Sequence, residues 1–279
     1  MEISICSYSF HGLLESGKQD VFGYIRDSRA LGCTSLDLWN AHLPTLLDEE
    51  SRTPDTITPE YAQLSKGQTD YLDKIKAAAD EAGLPFASLA VDGAHIYEEE
   101  PDARRANRIK AYRWMNIAER LGAQQVRLDT GGPEEMPEPV FEIIIDGYAD
   151  LIKRAGEKGL EVVMENHWGA SRLPENVVRI LETVKGLGLL FDTGNWPDGA
   201  EEKGWAMCAK YAHATHIKTF EFDAQGNETT VDVPKAMHYL LDAGYKGVWG
   251  IESCPAEGED EIEAARKTIA LIKRTLSEA

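Results

Sequence analysis

The chain has 279 residues, of which 29 are lysine or arginine and 48 are aspartate or glutamate, so its formal net charge at pH 7 is −19. That length suits one large α/β barrel or two ordinary domains, and hydrophobic residues make up 43% of the chain, enough for a full core. The acidic balance argues against a nucleic-acid partner, because phosphate binding requires a cationic surface.

The cysteine pattern and the N-terminal sequence indicate the cellular compartment of the protein. The cysteines are isolated and form no CxxC pair, which is typical of reduced thiols in a cytosolic protein. Residues 1–5 lead directly into a predicted strand and lack the basic and apolar regions of a secretory signal. No apolar stretch approaches the roughly 20 residues of a membrane-spanning helix. We therefore expect a cytoplasmic protein without a membrane partner.

One pattern repeats along the chain: an amphipathic helix ends near a glycine, and a short β-rich segment follows. Glycine is expected just beyond a helix end, because it adopts the left-handed backbone conformation without a Cβ clash. These joints occur at Gly32, Gly83, Gly122, Gly159, Gly186 and Gly244. The predicted strands span residues 3–8, 35–39, 86–91, 125–129, 161–166, 188–192, 213–220 and 248–252.

The segments between these strands have the period of helices. In one of them, apolar residues recur at Ile144, Tyr148, Leu151 and Ala155. Strands that alternate with helices indicate a parallel sheet, and eight such units in about 250 residues indicate a closed barrel. We predict a single (β/α)8 TIM barrel, of the α/β class, over residues 1–279, with an open doubly wound sheet as the alternative.

Two segments interrupt the pattern. Residues 40–67, rich in Pro, Thr, Glu and Asp, follow the second predicted strand, so we expect a lid or rim loop at the barrel mouth. Residues 221–231 contain Asp223-Ala224-Gln225-Gly226-Asn227 and are predicted to form a hairpin turn.

The fifth to eighth predicted strands each end in a side chain that can bind a metal ion: Glu165, Asp192, His216 and Glu252. Active-site residues of such barrels lie at the C-terminal ends of strands. Three carboxylates and one imidazole around a common axis are unfavourable unless a cation neutralises them. This oxygen-rich set favours one Mn²⁺ or Mg²⁺ ion, with Co²⁺ or Zn²⁺ as alternatives. Each residue alone has an ordinary structural explanation, so the prediction depends on all four together.

Strand alternation predicts which neighbours share that site. On the seventh strand His216 and Lys218 point into the barrel, whereas Ile217 faces the helices. On the fifth strand Glu165 and His167 share the inner face. We expect His167 to act in substrate binding or proton transfer, the alternative being a ring that only fixes its loop. We expect Lys218 to bind substrate hydroxyls or to stabilise an oxyanion.

Further candidate substrate-binding residues follow other strands. Arg127, in the fourth strand, is expected either to fix a substrate oxygen or to pair with a carboxylate at the mouth. His95, Trp39, Trp168 and Trp196 lie at or just past strand ends and are expected to form walls of the pocket. Aromatic rings stack on the C–H face of sugars, and packing at the rim explains each tryptophan equally well.

Four motifs carry a resemblance to a known family: Met164-Glu165-Asn166-His167, Phe191-Asp192-Thr193-Gly194-Asn195, His216-Ile217-Lys218 and Gly250-Ile251-Glu252. With them the chain resembles the xylose-isomerase-like barrel superfamily over nearly its whole length. That superfamily contains sugar phosphate isomerases and epimerases, ketose 3-epimerases, inosose isomerases and dehydratases, and endonuclease IV. The resemblance implies that Glu165, Asp192, His216 and Glu252 bind the metal. It also implies that the two glutamates exchange protons with the substrate in an epimerase.

The sequence departs from the family pattern at two positions. Many relatives have histidine where Asn195 stands, and often an acidic residue where Thr219 stands. The first departure argues against a multinuclear zinc site and against endonuclease IV chemistry. The second leaves the role of that acidic residue unassigned in this chain.

We therefore expect a divalent-metal-dependent isomerase or epimerase that acts on a small-molecule sugar, ketose or cyclic polyol. Glu165 and Glu252 would exchange protons next to a carbonyl, from opposite faces. The alternative is a lyase or hydrolase acting on an inosose or a 3-keto-glycoside, with His167 as acid or base. An endonuclease IV-like nuclease and a non-catalytic sugar sensor are more distant alternatives. The absence of a Gly-rich phosphate cradle favours an unphosphorylated substrate, and the sequence is compatible with a homo-oligomer without defining one.

Overall fold

Short buried strands and helices alternate throughout the described residues, 1–47 and 53–278, of this computed structural model. The strands are β1 (Ile3–Ile5), β2 (Leu36–Trp39), β3 (Phe86–Val91), β4 (Gln125–Leu128), β5 (Glu161–Glu165), β6 (Gly188–Asp192), β7 (Ala212–Thr219) and β8 (Trp249–Ser253). The glycines predicted to follow helices all have positive φ, so they adopt the left-handed conformation expected at those joints.

The helices surround the strands and connect each to the next. They are α1 (His11–Glu15), α2 (Val21–Leu31), α3 (Pro44–Leu47), α4 (Lys66–Ala82), α5 (Pro101–Leu121), α6 (Glu138–Gly156), α7 (Pro174–Thr183), α8 (Glu201–Cys208), α9 (Val233–Asp242) and α10 (Glu261–Glu278). Short 3₁₀ helices lie at Ser7–Phe10, Asn40–His42, Pro54–Thr56, Pro59–Ala62, Gly169–Arg172 and Ala209–Tyr211. Within the described ranges, no helix is both long and apolar enough to cross a bilayer.

The strands form one parallel sheet in the order β1-β8-β7-β6-β5-β4-β3-β2. In the described part of the chain, β1 and β2 are joined by a single parallel bridge between Cys6 and Asp37. The Tyr24 hydroxyl spans this seam: it lies 2.7 Å from the carbonyl oxygen of Ile5 and accepts a hydrogen bond from the Asp37 amide at 2.9 Å. The sheet therefore returns on itself, and the prediction of a (β/α)8 barrel is confirmed over that of an open sheet.

The first strand is shorter than predicted. It was expected to reach Tyr8, but it ends at Ile5 and a 3₁₀ helix follows. The chain turns there because the Ser9 amide donates to the carbonyl oxygen of Cys6 at 2.9 Å, and the Ser7 hydroxyl accepts from the Trp39 amide at 2.8 Å. The bounds of β3 and β6 match the prediction, and those of β2, β4 and β5 differ by one residue at one end. Strands β7 and β8 are each shifted by one residue at both ends.

The apolar core lies between the sheet and the helices. Val126, Ile217 and Ile251 are buried there and belong to one large cluster with the inner faces of the helices. The C-terminal half of the barrel interior is polar instead, because inward-facing positions carry residues such as Arg127 and His216, both buried. This polar interior is where the candidate site lies.

The two irregular segments have different outcomes. The predicted rim loop, residues 40–67, includes residues 48–52, which lie outside the described residues. In its described part, Ile57 and Tyr61 pack against Ala106 and Ile109 of α5. The predicted hairpin at residues 221–231 is confirmed by an antiparallel bridge between residues 222 and 228.

Candidate metal centre

Four polar side chains converge at the C-terminal ends of β5 to β8. They are the four that the sequence analysis grouped: Glu165, Asp192, His216 and Glu252. Each offers one possible ligand atom, and these atoms all lie within 4.8 Å of one another in buried residues. We call this set the carboxylate–histidine cluster.

His216 lies between the carboxylates of this cluster and a further one behind it. Its Nδ1 is 3.2 Å from Oε1 of Glu165 and 3.9 Å from Oε2 of Glu252, and its Nε2 is 3.0 Å from Oδ2 of Asp37. Burial opposes a charged ring, but the acidic groups of Cys6, Glu165 and Glu252 raise the pKa of His216 well above its ordinary value. The surroundings thus favour positive charge at this point.

Lys218 follows His216 on the same face of β7. Its Nζ lies 2.6 Å from Oε2 of Glu252 and 3.3 Å from Oδ2 of Asp192, and it donates to Oδ1 of Asn195 at 2.7 Å. Burial, together with repulsion from Glu252 and Glu165, raises the pKa of Asp192 to about 7 even though Lys218 opposes the shift. One ammonium group therefore does not neutralise all the carboxylates of the cluster.

The residues of the cluster fit a divalent ion. Oδ2 of Asp192 and Oε2 of Glu252 are both buried and share the ammonium group of Lys218. One ammonium group leaves buried negative charge uncompensated, and a divalent cation would neutralise it. Carboxylate oxygens with one imidazole nitrogen are ligands that Mn²⁺, Mg²⁺ and Zn²⁺ accept in proteins.

Asp129, which directly follows β4, is a site residue that the sequence analysis did not select. Its Oδ2 accepts from Nη1 of Arg127 at 2.8 Å and from Nε1 of Trp168 at 3.2 Å, and lies 3.4 Å from Nδ1 of His167. Although burial opposes the shift, Arg127 and His167 lower the pKa of Asp129 to about 2. The available signal was its place two residues after Arg127, on the same strand face.

Arg127 pairs with carboxylates, which was the second of its two predicted roles. Its Nε lies 3.2 Å from Oε2 of Glu165, and its Nη1 lies 2.8 Å from both Oδ1 of Asp92 and Oδ2 of Asp129. The residue is only 4% exposed. The positive charge of Arg127 is therefore balanced by carboxylates of the site.

His167 lies on the solvent side of these carboxylates. Its side chain is 35% exposed, and possible ligand atoms of Asp129, Glu165 and His167 lie within 4.8 Å of one another. Burial alone would lower the pKa of the ring, but Glu165 and Asp129 raise it to about 9. The ring therefore carries a proton at neutral pH.

Three of the predicted aromatic wall residues lie at the mouth. The exposed ring of Trp168 meets His95 edge to face, with centroids 5.1 Å apart, and His95 is held by Glu98 at 2.5 Å. The indole nitrogen of Trp39 donates to Oδ2 of Asp92 at 2.8 Å. Tyr8, which the sequence analysis assigned to the first strand, packs edge to face on Trp39.

Trp196 lies elsewhere. It is 4% exposed, and its ring centroid is 6.1 Å from that of Phe191 in the core. It also packs directly beneath Gly204 of α8. The structure therefore does not bring Trp196 together with the other predicted wall residues.

The two departures from the family pattern have distinct surroundings. Asn195 donates through Nδ2 to Oε1 of Glu165 at 3.2 Å and accepts from Lys218. It therefore links two residues of the site. The Thr219 hydroxyl lies 2.7 Å from that of Thr268 in α10, so this position faces the helix layer.

Comparison with known proteins adds a family and several relatives. A family model described as xylose isomerase-like TIM barrel matches residues 25–275. Inosose dehydratase from Glaesserella parasuis serovar 5 (strain SH0165) is 35% identical over 85 residues, a match that spans only 28% of this chain and 28% of that protein.

Solved structures match over the whole chain. One is the IOLI protein with a binding zinc atom, with a TM-score of 0.75 at 14% identity, covering 100% of this chain and 99% of that chain. Another is D-psicose 3-epimerase with D-tagatose from Clostridium cellulolyticum H10, with a TM-score of 0.73 at 13% identity and 99% of each chain covered. At these identities the likeness establishes a shared fold.

Proposed function

Because the chain belongs to the xylose isomerase-like TIM barrel family, we propose that it is a divalent-metal-dependent isomerase or epimerase of a sugar, ketose or cyclic polyol. The proposed reaction is proton transfer at a carbon next to a carbonyl. The observation that carries this proposal is the carboxylate–histidine cluster, whose possible ligand atoms lie within 4.8 Å of one another. The fold shared with a ketose 3-epimerase and with a zinc-binding protein is consistent with it.

The cluster residues Glu165, Asp192, His216 and Glu252 would hold one ion. Mn²⁺ or Mg²⁺ is preferred because most of the donors are carboxylate oxygens, with Co²⁺ or Zn²⁺ as alternatives. When bound, such an ion polarises a substrate carbonyl and makes the neighbouring C–H more acidic.

Glu165 and Glu252 are proposed to take and return the proton. β5 and β8 are separated in the sheet by β6 and β7, so the two carboxylates reach the centre from different sides. Burial opposes ionisation of both, but His216 with Arg127 lowers the pKa of Glu165, and Lys218 with His216 lowers that of Glu252. Both groups are therefore carboxylates at neutral pH, as a base requires.

His167 and Lys218 are proposed to act on substrate oxygens. The protonated ring of His167 is fixed by Asp129 and is partly exposed, so it can donate a hydrogen bond to a substrate hydroxyl or carbonyl. The Lys218 ammonium, beside Glu252, can stabilise negative charge on a neighbouring oxygen.

The charges and aromatic rings favour a neutral substrate. Among the described residues at this end of the barrel, the buried cations Arg127 and Lys218 are both paired with carboxylates, which leaves neither for a phosphate. Trp39 and Trp168 offer ring faces and edges to a polyol. An unphosphorylated sugar or polyol is therefore the proposed substrate class.

Water elimination from an inosose, or elimination from a 3-keto-glycoside, is the second candidate reaction. It is favoured by the protonated ring of His167 next to Glu165, because an acid beside a base can protonate a leaving hydroxyl. The partial match to an inosose dehydratase supports the same candidate.

One experiment separates these reactions. Purified protein with added Mn²⁺ is incubated in D₂O with ketoses, inososes and 3-keto-glycosides, and products are analysed by mass spectrometry. Isomerisation or epimerisation incorporates solvent deuterium without loss of any group, whereas elimination gives a product that lacks water, from an inosose, or the aglycone alcohol, from a 3-keto-glycoside. Glu165→Gln and Glu252→Gln should each suppress deuterium uptake, and Glu119→Gln, in α5 and paired with Lys158 away from the site, is the control. Undiminished uptake in both cluster variants would exclude the proposed proton transfer.

A further inference from the structure

Asp37 lies directly behind His216, on the side away from the substrate mouth, and has no role in the site as described so far. It is 3% exposed, and its Oδ2 lies 3.0 Å from Nε2 of His216. Its backbone is fixed at the seam of the barrel by the bridge to Cys6 and by the Tyr24 hydroxyl. The carboxylate is therefore held against the imidazole from β2.

The two nitrogens of His216 face different partners. Nδ1 faces Glu165 at 3.2 Å and Glu252 at 3.9 Å, within the cluster, and Nε2 faces only Asp37 among these carboxylates. A neutral imidazole has one N–H and one lone pair. If Nδ1 offers its lone pair to a metal ion, the proton is on Nε2 and needs an acceptor.

We infer that Asp37 is a positioning residue that accepts a hydrogen bond from Nε2–H of His216 and thereby keeps Nδ1 free to bind the divalent ion. The inference rests on the proposed function, because it concerns the histidine form that metal binding requires. Carboxylates that orient metal-binding histidines in this way also make the imidazole a stronger donor.

Asp37 also lines a cavity on the side away from the carboxylate–histidine cluster. Oδ1 accepts no hydrogen bond from the protein, and Asp37 lines a cavity of about 190 Å³ together with Ser4, Ser88 and Gln125. The Ser88 hydroxyl is also without a protein partner. A cavity of this size has room for several water molecules at about 30 Å³ each. The Asp37 side chain therefore lies between His216 and a space on the side of the barrel away from the substrate mouth.

Metal affinity tests the inference without reference to any substrate. We compare wild type, Asp37→Asn and Ser88→Ala by calorimetric titration with Mn²⁺ alone, after checking each fold by thermal unfolding. Asp37→Asn replaces the anionic acceptor by a neutral one of the same shape, so the Kd for Mn²⁺ should rise about 10- to 100-fold. Ser88→Ala alters the same cavity without touching His216 and should leave the Kd unchanged.

A second measurement reads the proton position directly. In Zn²⁺-loaded protein with isotope-labelled histidine, nitrogen–proton correlation spectra should assign the His216 proton to Nε2 in wild type and in Ser88→Ala. A proton on Nδ1 in wild type would overturn the inference even if Asp37→Asn did not fold. Equal Mn²⁺ affinities for wild type and folded Asp37→Asn would overturn it as well and leave the proposed function standing. Absence of any metal binding by wild type would instead overturn the proposed function, and the inference with it.

Discussion

Asp129 shows how much of the site depends on one residue. A single carboxylate oxygen, Oδ2, accepts from Arg127 and Trp168 and lies against His167. Arg127 and Trp168 were candidates for substrate binding, and His167 for substrate binding or proton transfer, and each of them contacts this same atom. Loss of that negative charge should therefore disturb the site without removing any group that touches the substrate.

Asp129→Asn is expected to lower kcat/KM by on the order of 10- to 100-fold, because His167 loses part of the charge that keeps it protonated. The pKa of His167, about 9 in the wild type, should fall toward its ordinary value. As pH rises, His167 of the variant should lose its proton earlier, so the activity of the variant should fall at a lower pH than that of the wild type. Glu119→Gln, which alters an ion pair with Lys158 on the outer helices, serves as the control. An unchanged pH profile in Asp129→Asn would contradict the assigned role.

His42 makes stability depend on pH. The ring is 1% exposed, and its burial lowers the pKa to about 4 even though Asp20 opposes the shift. The unfolded chain binds the proton near the ordinary value of about 6.5, so this contribution to stability is full above that pH and is lost as pH falls toward 4.

Between pH 7 and pH 5 this residue alone should reduce the free energy of unfolding by about 2 kcal/mol. His42→Gln keeps a polar group near Gln19 and removes the titration, so it should show a smaller loss over the same interval. Urea unfolding at both pH values measures the difference. The same loss in variant and wild type would show that other groups cause the pH dependence.

At the level of elements, helix α8 packs directly on the core through Gly204. A Cβ at this position would lie 2.4 Å from the ring of Trp196, so the glycine allows the backbone of α8 to pack closely against that ring. We expect Gly204→Ala to destabilise the protein by about 1–3 kcal/mol, because the ring cannot move without opening the core.

The matched control for Gly204→Ala is Gly156→Ala, at the end of α6, where a Cβ would meet nothing within 4 Å. That change should be neutral or stabilising by up to about 1 kcal/mol, since alanine favours helix more than glycine does. Thermal unfolding of both variants provides the comparison. Equal stability of the two would contradict the packing described for Trp196.

The strand pattern was predictable because, among the described residues, every strand except β1 and β7 follows a glycine joint. β1 was predicted too long because residues 6–8 suit a strand, and the turn depends on a hydrogen bond from the distant Trp39 amide to Ser7. The cluster residues were predictable because they end successive strands. Asp37 was not, because its partner His216 lies 179 residues away.

For the whole molecule, the proposed metal binding at the cluster would stabilise the fold. An ion that binds the native state alone stabilises it by about 2.7 kcal/mol at a hundredfold excess over its Kd. Mn²⁺ should therefore raise the melting temperature, and a chelator should reverse the rise. Asp192→Asn removes one cluster carboxylate and should abolish most of the effect. A melting temperature indifferent to Mn²⁺ and to chelator would exclude a resident ion.

The stabilising effect of a bound ion should be felt at the seam between β1 and β2. Among the described residues, the strand junction with a single bridged residue pair, supported by the Tyr24 hydroxyl, is also the one that presents Asp37 to His216. If β1 and β2 separate there, the Asp37 carboxylate and the His216 imidazole move apart. A metal ion bound by the carboxylate–histidine cluster would therefore oppose this local opening of the barrel. Adding Mn²⁺ should slow hydrogen exchange at the amide of Asp37 more than at amides on the far side of the barrel.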